Sequence, residues 1–218
     1  MEKGGFMTNT DRPYWNMDIE PKLNTEEIKT LQLEKLKEAL HWQYHHTPFN
    51  RNRFDQAGVR PEDIKSFDDF AQAIPPAGQE EIREAITEIG LDMDKLMRHV
   101  FGDERVDDLY LLTTTSGTTG IPTPYPNFNT SIKDAQEIMC RAAWRMGFRP
   151  GDRLAICFGL SMHAAGTPQI LWFKNFPGLS IVPIGAEAGT EKILQFMQLF
   201  KVNIFAGTPS LAMHLIER

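Results

Sequence analysis

Past Val106 the chain alternates between short runs rich in apolar, β-favouring residues and longer stretches with apolar residues at helical spacing. The strand-like runs are 109–114, 153–158, 179–183 and 202–206; the helical ones are 130–146, 163–173, 190–200 and 209–217. Such alternation specifies a mainly parallel sheet, because a parallel pair needs a long crossover and the crossover helix buries its apolar stripe on the sheet. Leu109–Thr114 is dominated by apolar and β-favouring residues, so it is expected to be buried on both faces within that sheet. The fold class expected is α/β, with 106–218 as a mainly parallel sheet flanked by helices and 1–105 as a helical N-terminal region. In open sheets of this kind ligands bind at the carboxyl ends of the strands. Those ends are 113–120, 158–166, 185–189 and 207–210, all rich in Gly, Thr or Ser.

The first of these ends, Thr113-Thr114-Thr115-Ser116-Gly117-Thr118-Thr119-Gly120-Ile121-Pro122-Thr123, reads as a phosphate-cradling turn between a strand and a helix. Gly117 and Gly120 can adopt positive φ without a Cβ penalty, which lets backbone N–H groups converge on one anion. Thr115, Ser116, Thr118 and Thr119 add hydroxyl donors. A Walker loop would need Gly-Lys-Ser/Thr, and here Gly120 precedes Ile121, so an ordinary P-loop NTPase is disfavoured. A plain tight turn whose hydroxyls satisfy backbone groups is the simpler alternative. In the following helix Asn129 or Thr130 can cap, and Ile132, Ala135, Ile138, Met139, Ala142, Ala143 and Met146 form the apolar stripe.

Before Val106 the signals are helical. Residues 1–22 read as an irregular lead-in anchored by Tyr14 and Trp15. A long helix then starts at Asn24, which can cap it with Glu27 three residues on, carries Leu31, Leu33, Leu36, Leu40 and Tyr44, and ends before Pro48. His41 and His45 on it have the i, i+4 spacing of a metal pair, with His46 next; no third ligand has the spacing of a known site, and a solvated helix face is the simpler reading. Helices follow at 51–57, closed by Gly58, at 66–73 behind a Ser66/Asp69 capping box, and at 78–89 with Ile82, Ala85, Ile86 and Ile89 on one face.

Composition excludes several function classes. A formal net charge of -6 leaves no broad basic face for nucleic acid. No apolar run reaches the roughly 20 residues of a membrane helix, and no signal-type core follows Met1, so no membrane partner and a cytoplasmic location are expected. The two cysteines, Cys140 and Cys157, fit neither a disulfide framework nor a zinc cluster and read as packed, reduced thiols.

The second strand end, Phe158-Gly159-Leu160-Ser161-Met162-His163-Ala164-Ala165-Gly166, mixes small and large apolar residues in the manner of a pocket wall. His163 reads as a hydrogen-bonded helix-start histidine, since no nucleophile partner accompanies it. No Gly-x-Ser-x-Gly elbow occurs, which removes the usual α/β-hydrolase reading. Thr208-Pro209-Ser210 reads both as a helix start and as a source of hydroxyl and backbone groups beside a ligand.

The loop Thr115-Ser116-Gly117-Thr118-Thr119-Gly120, followed by x-Pro-Thr, resembles the signature loop of the adenylate-forming (AMP-binding) superfamily. Further stretches resemble the phenylacetate–CoA ligase branch: Tyr14-Trp15-Asn16, Leu31-Gln32-Leu33-Glu34-Lys35-Leu36, Thr47-Pro48-Phe49-Asn50-Arg51-Asn52-Arg53-Phe54, Ala57-Gly58-Val59-Arg60-Pro61-Glu62-Asp63-Ile64, Arg149-Pro150-Gly151-Asp152 and Gly207-Thr208-Pro209-Ser210. This likeness runs over nearly the whole chain but matches only the front part of such enzymes. It implies the fold of their N-terminal domain and a two-step reaction, in which an aryl or arylacetic carboxylate attacks ATP to give acyl-adenylate and pyrophosphate, and the CoA thiol then displaces AMP. It implies ATP, Mg2+ and CoA as the small molecules bound, with Thr115, Ser116, Gly117, Thr118, Thr119 and Gly120 on the phosphates. Phe158, Gly159, Leu160, His163, Gly166, Thr208 and Pro209 are implied around the acid. Ile121 replaces a lysine of many relatives, and Leu160 and His163 stand where aromatic residues are expected. The family's catalytic lysine lies outside this chain, and 209–218 reads as an uninterrupted helix, which suggests a truncated or split ligase with a downstream polypeptide or a homodimeric partner. A non-catalytic acid- or nucleotide-binding module is the alternative.

Overall fold

The computed structural model describes residues 12–90, 92–114 and 123–218. They group into two compact units, 17–108 and 12–16 together with 109–218.

The first unit is helical: α1 (Glu26–His46), α2 (Pro48–Ala57), α3 (Phe67–Ala73), α4 (Gln79–Ile89), α5 (Met93–Phe101) and α6 (Asp103–Asp107). The cap of α1 is Thr25, whose hydroxyl accepts from the Ile28 amide at 3.4 Å, and not Asn24, which turns into the chain at φ 69°. Thr47 ends α1 and starts α2, its buried hydroxyl donating to Gln43 O at 2.7 Å and accepting from Asn50 Nδ2 at 2.9 Å. Pro48 then sets the first turn of α2, which therefore begins ahead of the expected 51–57, and Gly58 closes it in the left-handed region at φ 67°. Leu40, Phe54, Ile64 and Ile74 form one buried cluster with Leu36, Tyr44, Val59 and Phe70 against it; Leu31 of the expected stripe is 40% exposed. Ala85, Ile86 and Leu96 form a second cluster with Ile82, Ile89 and Met93, so the stripe read on α4 is its buried face.

The second unit contains β1 (Leu109–Thr114), β2 (Pro124–Phe128), α7 (Asn129–Met146), β3 (Arg153–Ile156), α8 (Thr167–Trp172), β4 (Ser180–Pro183), α9 (Thr190–Leu199), β5 (Ile204–Ala206) and α10 (Pro209–Ile216). The sheet β4-β3-β5 is parallel throughout, with Leu154 opposite Ile181 on one side and Ile204 on the other. Leu154, Ala155 and Ile156 are fully buried because the central strand is covered on both faces. Leu154 and Ile156 pack with Cys140, Ala143, Phe148, Phe173 and Phe176, whereas Ala155 and Cys157 pack with Ile193 and, around it, Met197, Phe205 and Leu211. The two-residue period of the strand thus sends alternate side chains to α7 on one face and to α9 and α10 on the other.

β1 departs from the reading of a strand buried within the parallel sheet. It pairs antiparallel with β2, Leu112 opposite Pro126 and Thr113 opposite Tyr125, and Tyr110 is 57% exposed. β2 carries Pro124 and Pro126, which lack a donor and so confine it to an edge. On α7 the cap position is Phe128 and the buried face is Gln136, Cys140 and Ala143, while Ile138 and Met146 of the expected stripe are 55% and 67% exposed. Gln136 is tolerated there because its amide donates to Leu171 O at 3.0 Å and accepts from Asn175 Nδ2 at 2.6 Å. Both cysteines are unbridged and buried, and burial pushes the Cys157 thiol up to about 11.

Residues 12–16 belong to this unit. Trp15 stacks on Phe176 with ring centroids 5.5 Å apart and lies 5.9 Å from Trp144. The Arg12 guanidinium sits 4.1 Å over Trp144 and donates to Phe148 O at 2.8 Å, and Trp144 Nε1 donates to Pro13 O at 2.9 Å. Tyr14, also expected as an anchor, is 46% exposed.

Candidate functional site at the carboxyl ends of the strands

The carboxyl ends of β4, β3 and β5 are laced together by main-chain hydrogen bonds. The Cys157 amide donates to Ala206 O at 2.7 Å, those of Ile184 and Gly185 donate to Ile156 O at 3.1 and 2.9 Å, and that of Ala186 donates to Phe158 O at 3.2 Å. Segments 157–158, 184–186 and 206–208 therefore leave the sheet side by side.

The segment after β3 folds back on itself. A Cβ at Gly166 would lie 2.0 Å from Gly159 O, a backbone atom, so close approach alone requires glycine there; one at Gly159 would lie 2.7 Å from the exposed His163 ring, which would have to shift. Thr167 Oγ1 donates to the carbonyls of Leu160 and Ser161 at 2.5 and 3.1 Å, and the Gly166 amide donates to His163 O at 3.3 Å. This turn delays α8 to Thr167, with Pro168 in its first turn, so His163 lies ahead of the helix instead of starting it as the sequence suggests. Its ring is exposed and packs on Gly159. Phe158 and Leu160 are half-buried and rest partly on the core cluster of Cys140, Phe148 and Phe173.

Glu187 was not anticipated from the sequence. Its Oε1 accepts from the Leu160 amide at 3.0 Å, tying the segment after β3 to the turn after β4. The only signal was its place within the Gly185–Gly189 strand end, since an exposed glutamate in a glycine-flanked turn otherwise looks like solvated surface. A Cβ at Gly185 would come 2.6 Å from Glu187 Oε2, so that glycine makes room for the carboxylate. After β5, Thr208 caps α10: its Oγ1 accepts from the Leu211 amide at 3.3 Å and lies 3.1 Å from Ser210 Oγ, with Pro209 in the first turn. The helix-start reading of Thr208 is thereby realised, and both hydroxyls are exposed at the edge of the sheet.

β1 delivers its end to the same place. The Thr114 amide donates to Met162 O at 2.6 Å and the Ala164 amide donates to Thr114 O at 3.2 Å, a parallel bridge between Thr114 and His163. Thr115, Ser116, Gly117, Thr118, Thr119 and Gly120, with Ile121, lie outside the described residues, but the residue preceding them is fixed against the 162–164 turn. Chemically, this edge gathers exposed hydroxyls of Thr208 and Ser210, the Glu187 carboxylate and half-buried apolar surface at Phe158 and Leu160.

No family model matches the chain. It is 29% identical over 202 residues to the phenylacetate–coenzyme A ligase of Aromatoleum evansii, an alignment covering 92% of this chain and 43% of that one. The resemblance is to phenylacetate–CoA ligases. The enzyme of the same name from Escherichia coli strain K12 is 25% identical over 214 residues, covering 97% of this chain and 44% of the relative. Among solved structures, 2-hydroxyisobutyryl-CoA ligase in complex with 2-HIB-AMP and CoA superposes over 100% of this chain and 44% of that one, with a TM-score of 0.79 and 25% identity. The fold is that of the N-terminal region of adenylate-forming ligases. The chain spans less than half the length of these relatives, consistent with an N-terminal portion.

Proposed function

We propose that the chain is the N-terminal part of an ATP-dependent, AMP-forming carboxylic acid–CoA ligase acting on an aryl or arylacetic acid through an acyl-adenylate. The observation that carries the reading is the bridge from Thr114, the residue before the Thr/Ser/Gly loop, to the 162–164 turn that follows the central parallel strand β3. Relatives named as phenylacetate–CoA ligases give that edge its chemistry.

In this reading Thr115, Ser116, Gly117, Thr118, Thr119 and Gly120 hold the ATP phosphates with N–H and hydroxyl donors. The acid lies along Phe158, Gly159, Leu160, His163 and Gly166, with Thr208 and Pro209 at its carboxylate end. A carboxylate oxygen then attacks the α-phosphorus, the bond to the bridging oxygen breaks, and pyrophosphate leaves; in the second step the CoA sulfur attacks the acyl carbon and AMP departs. The protein's task in the first step is to neutralise phosphate charge and hold the two reactants in line. Glu187 acts on geometry alone, by fixing the amide of Leu160 and with it the path of 158–160. Magnesium suits oxygen donors of the kind gathered here, and when bound it screens phosphate charge.

The alternative reading is a non-catalytic module that binds an acid or a nucleotide without turning them over, or one half of a split ligase; the chain spans 43% of the Aromatoleum evansii relative's length. Acid-dependent exchange of labelled pyrophosphate into ATP, measured with this chain and a panel of aromatic and short aliphatic acids, separates the two. Exchange with an aryl or arylacetic acid, appearing once a C-terminal portion that carries the family's catalytic lysine is supplied in trans, is the expected result. No exchange even then, together with saturable binding of a non-hydrolysable acyl-adenylate analogue, would support a non-catalytic binding module instead.

A further inference from the structure

On α1 the imidazoles of His41 and His45 stand one turn apart, ring centroids 4.4 Å from each other. The third group comes from a separate element, the 3-10 turn Pro61–Asp63, where Glu62 Oε1 lies 4.0 Å from His41 Nε2. One ligand atom from each of the three residues falls within 4.8 Å of the others. Two imidazoles and a carboxylate from two chain segments are the donor set of many zinc sites, and i, i+4 spacing puts both imidazoles on one helix face. The backbone beneath is fixed: Leu40, one residue before His41, and Ile64, two after Glu62, are 5% and 2% exposed and share one core cluster with Phe54. Ligands on a tetrahedral ion with bonds of about 2.0–2.1 Å stand about 3.3 Å apart, so the donor pairs need to approach by at most about 1.5 Å, a movement shared between exposed side chains.

We propose that His41, His45 and Glu62 form a surface site for a late first-row divalent cation of the zinc class, with water completing the coordination, that cross-links α1 to 61–63. Imidazole selects such ions over magnesium and calcium. Lys37 and Lys65 line the same hollow and oppose the cation's charge, while Glu38 favours it, so binding is weaker than at a closed structural site. The proposal is independent of the ligase reading, since it uses no residue of the strand-end site.

The test is zinc chloride titration of the full chain by calorimetry at neutral pH, with thermal unfolding followed in parallel and magnesium chloride as control. One equivalent of zinc should bind, and a hundredfold excess over Kd should raise Tm by about 5–10 °C. The His41→Gln/His45→Gln variant should lose at least about tenfold in affinity, and Glu62→Gln should lose affinity while unfolding, metal-free, at the wild-type temperature. All three side chains are exposed, so these variants keep the core intact. Absence of saturable zinc binding, or equal binding by the double-histidine variant through His46, His99, His163 or His214, would overturn the site. Unchanged affinity of Glu62→Gln would remove the carboxylate from it.

Discussion

Gly166 lies where the segment after β3 crosses over its own beginning, and the constraint there is space, since its φ of -106° suits any residue. A methyl group would stand 2.0 Å from the Gly159 carbonyl oxygen, a backbone atom that cannot swing aside as a side chain would. Gly166→Ala should therefore destabilise the protein by about 2–3 kcal/mol, the upper range for overpacking. Gly58 supplies the contrast. Nothing lies within 4 Å of a Cβ built on it, and its φ of 67° is the whole difficulty, so Gly58→Ala should cost only about 1 kcal/mol. Denaturant midpoints of the two variants check both figures, and a larger loss at Gly58 than at Gly166 would refute the steric account.

At the scale of elements, the turn before α3 shows how a local signature becomes a measurable electrostatic effect. The Asp69 amide donates to Ser66 Oγ at 3.1 Å, and Asp69 Oδ2 accepts from the amides of Ser66 and Lys65, both at 2.9 Å. Hydrogen bonding by Ser66, chiefly from its side chain, and from the Lys65 amide holds the Asp69 carboxyl below 3.8. A carboxyl depressed in the folded state contributes stability that is present above its unfolded pKa and is lost as pH falls from about 3.8 through the lower folded value. Ser66→Ala should cost about 1 kcal/mol and move Asp69 back towards 3.8 in an NMR titration; an unmoved carboxyl would show that the box does not act on it. This element was legible because its signal is contained in four residues. So were β3, β4 and β5, short apolar runs with no competing pattern. β2 was not, because Pro124 and Pro126 argue against a strand until an antiparallel neighbour makes it an edge. Nor was the buried face of α7, since Gln136 is buried by partners 35 and 39 residues away. The ends of β3, β4 and β5 were legible for the same reason as the strands, while 115–120 lies outside the described residues. Glu187 and the third metal-type donor, Glu62, depend on chain segments meeting in space, which spacing in sequence does not encode.

At the scale of the whole molecule, the chain contributes 12–16 to the α/β unit, builds the helical unit over 17–108, and returns to the α/β unit at Leu109. The aromatic cluster of that unit is accordingly assembled from residues more than a hundred positions apart: Trp15 stacks on Phe176, Trp144 is tilted against both, and Phe148 packs edge-on to Phe176. Loop-closure entropy grows only with the logarithm of loop length, so so distant a closure is affordable if a few large side chains make the contact. Trp15 is the one that does, while Arg12 and the Pro13 carbonyl orient the segment on Trp144. Trp15→Ala should then lower stability by about 2–3 kcal/mol, less than a fully buried tryptophan because its ring is partly exposed. Hydrogen exchange locates the loss: the amides of Cys140 to Trp144 and of Phe173 to Phe176 should exchange faster in the variant, and Trp15→Phe should restore most of the protection by keeping the stack on Phe176. If those amides were as protected in Trp15→Ala as in the wild type, the 12–16 segment would be a passive cover on a core already complete without it.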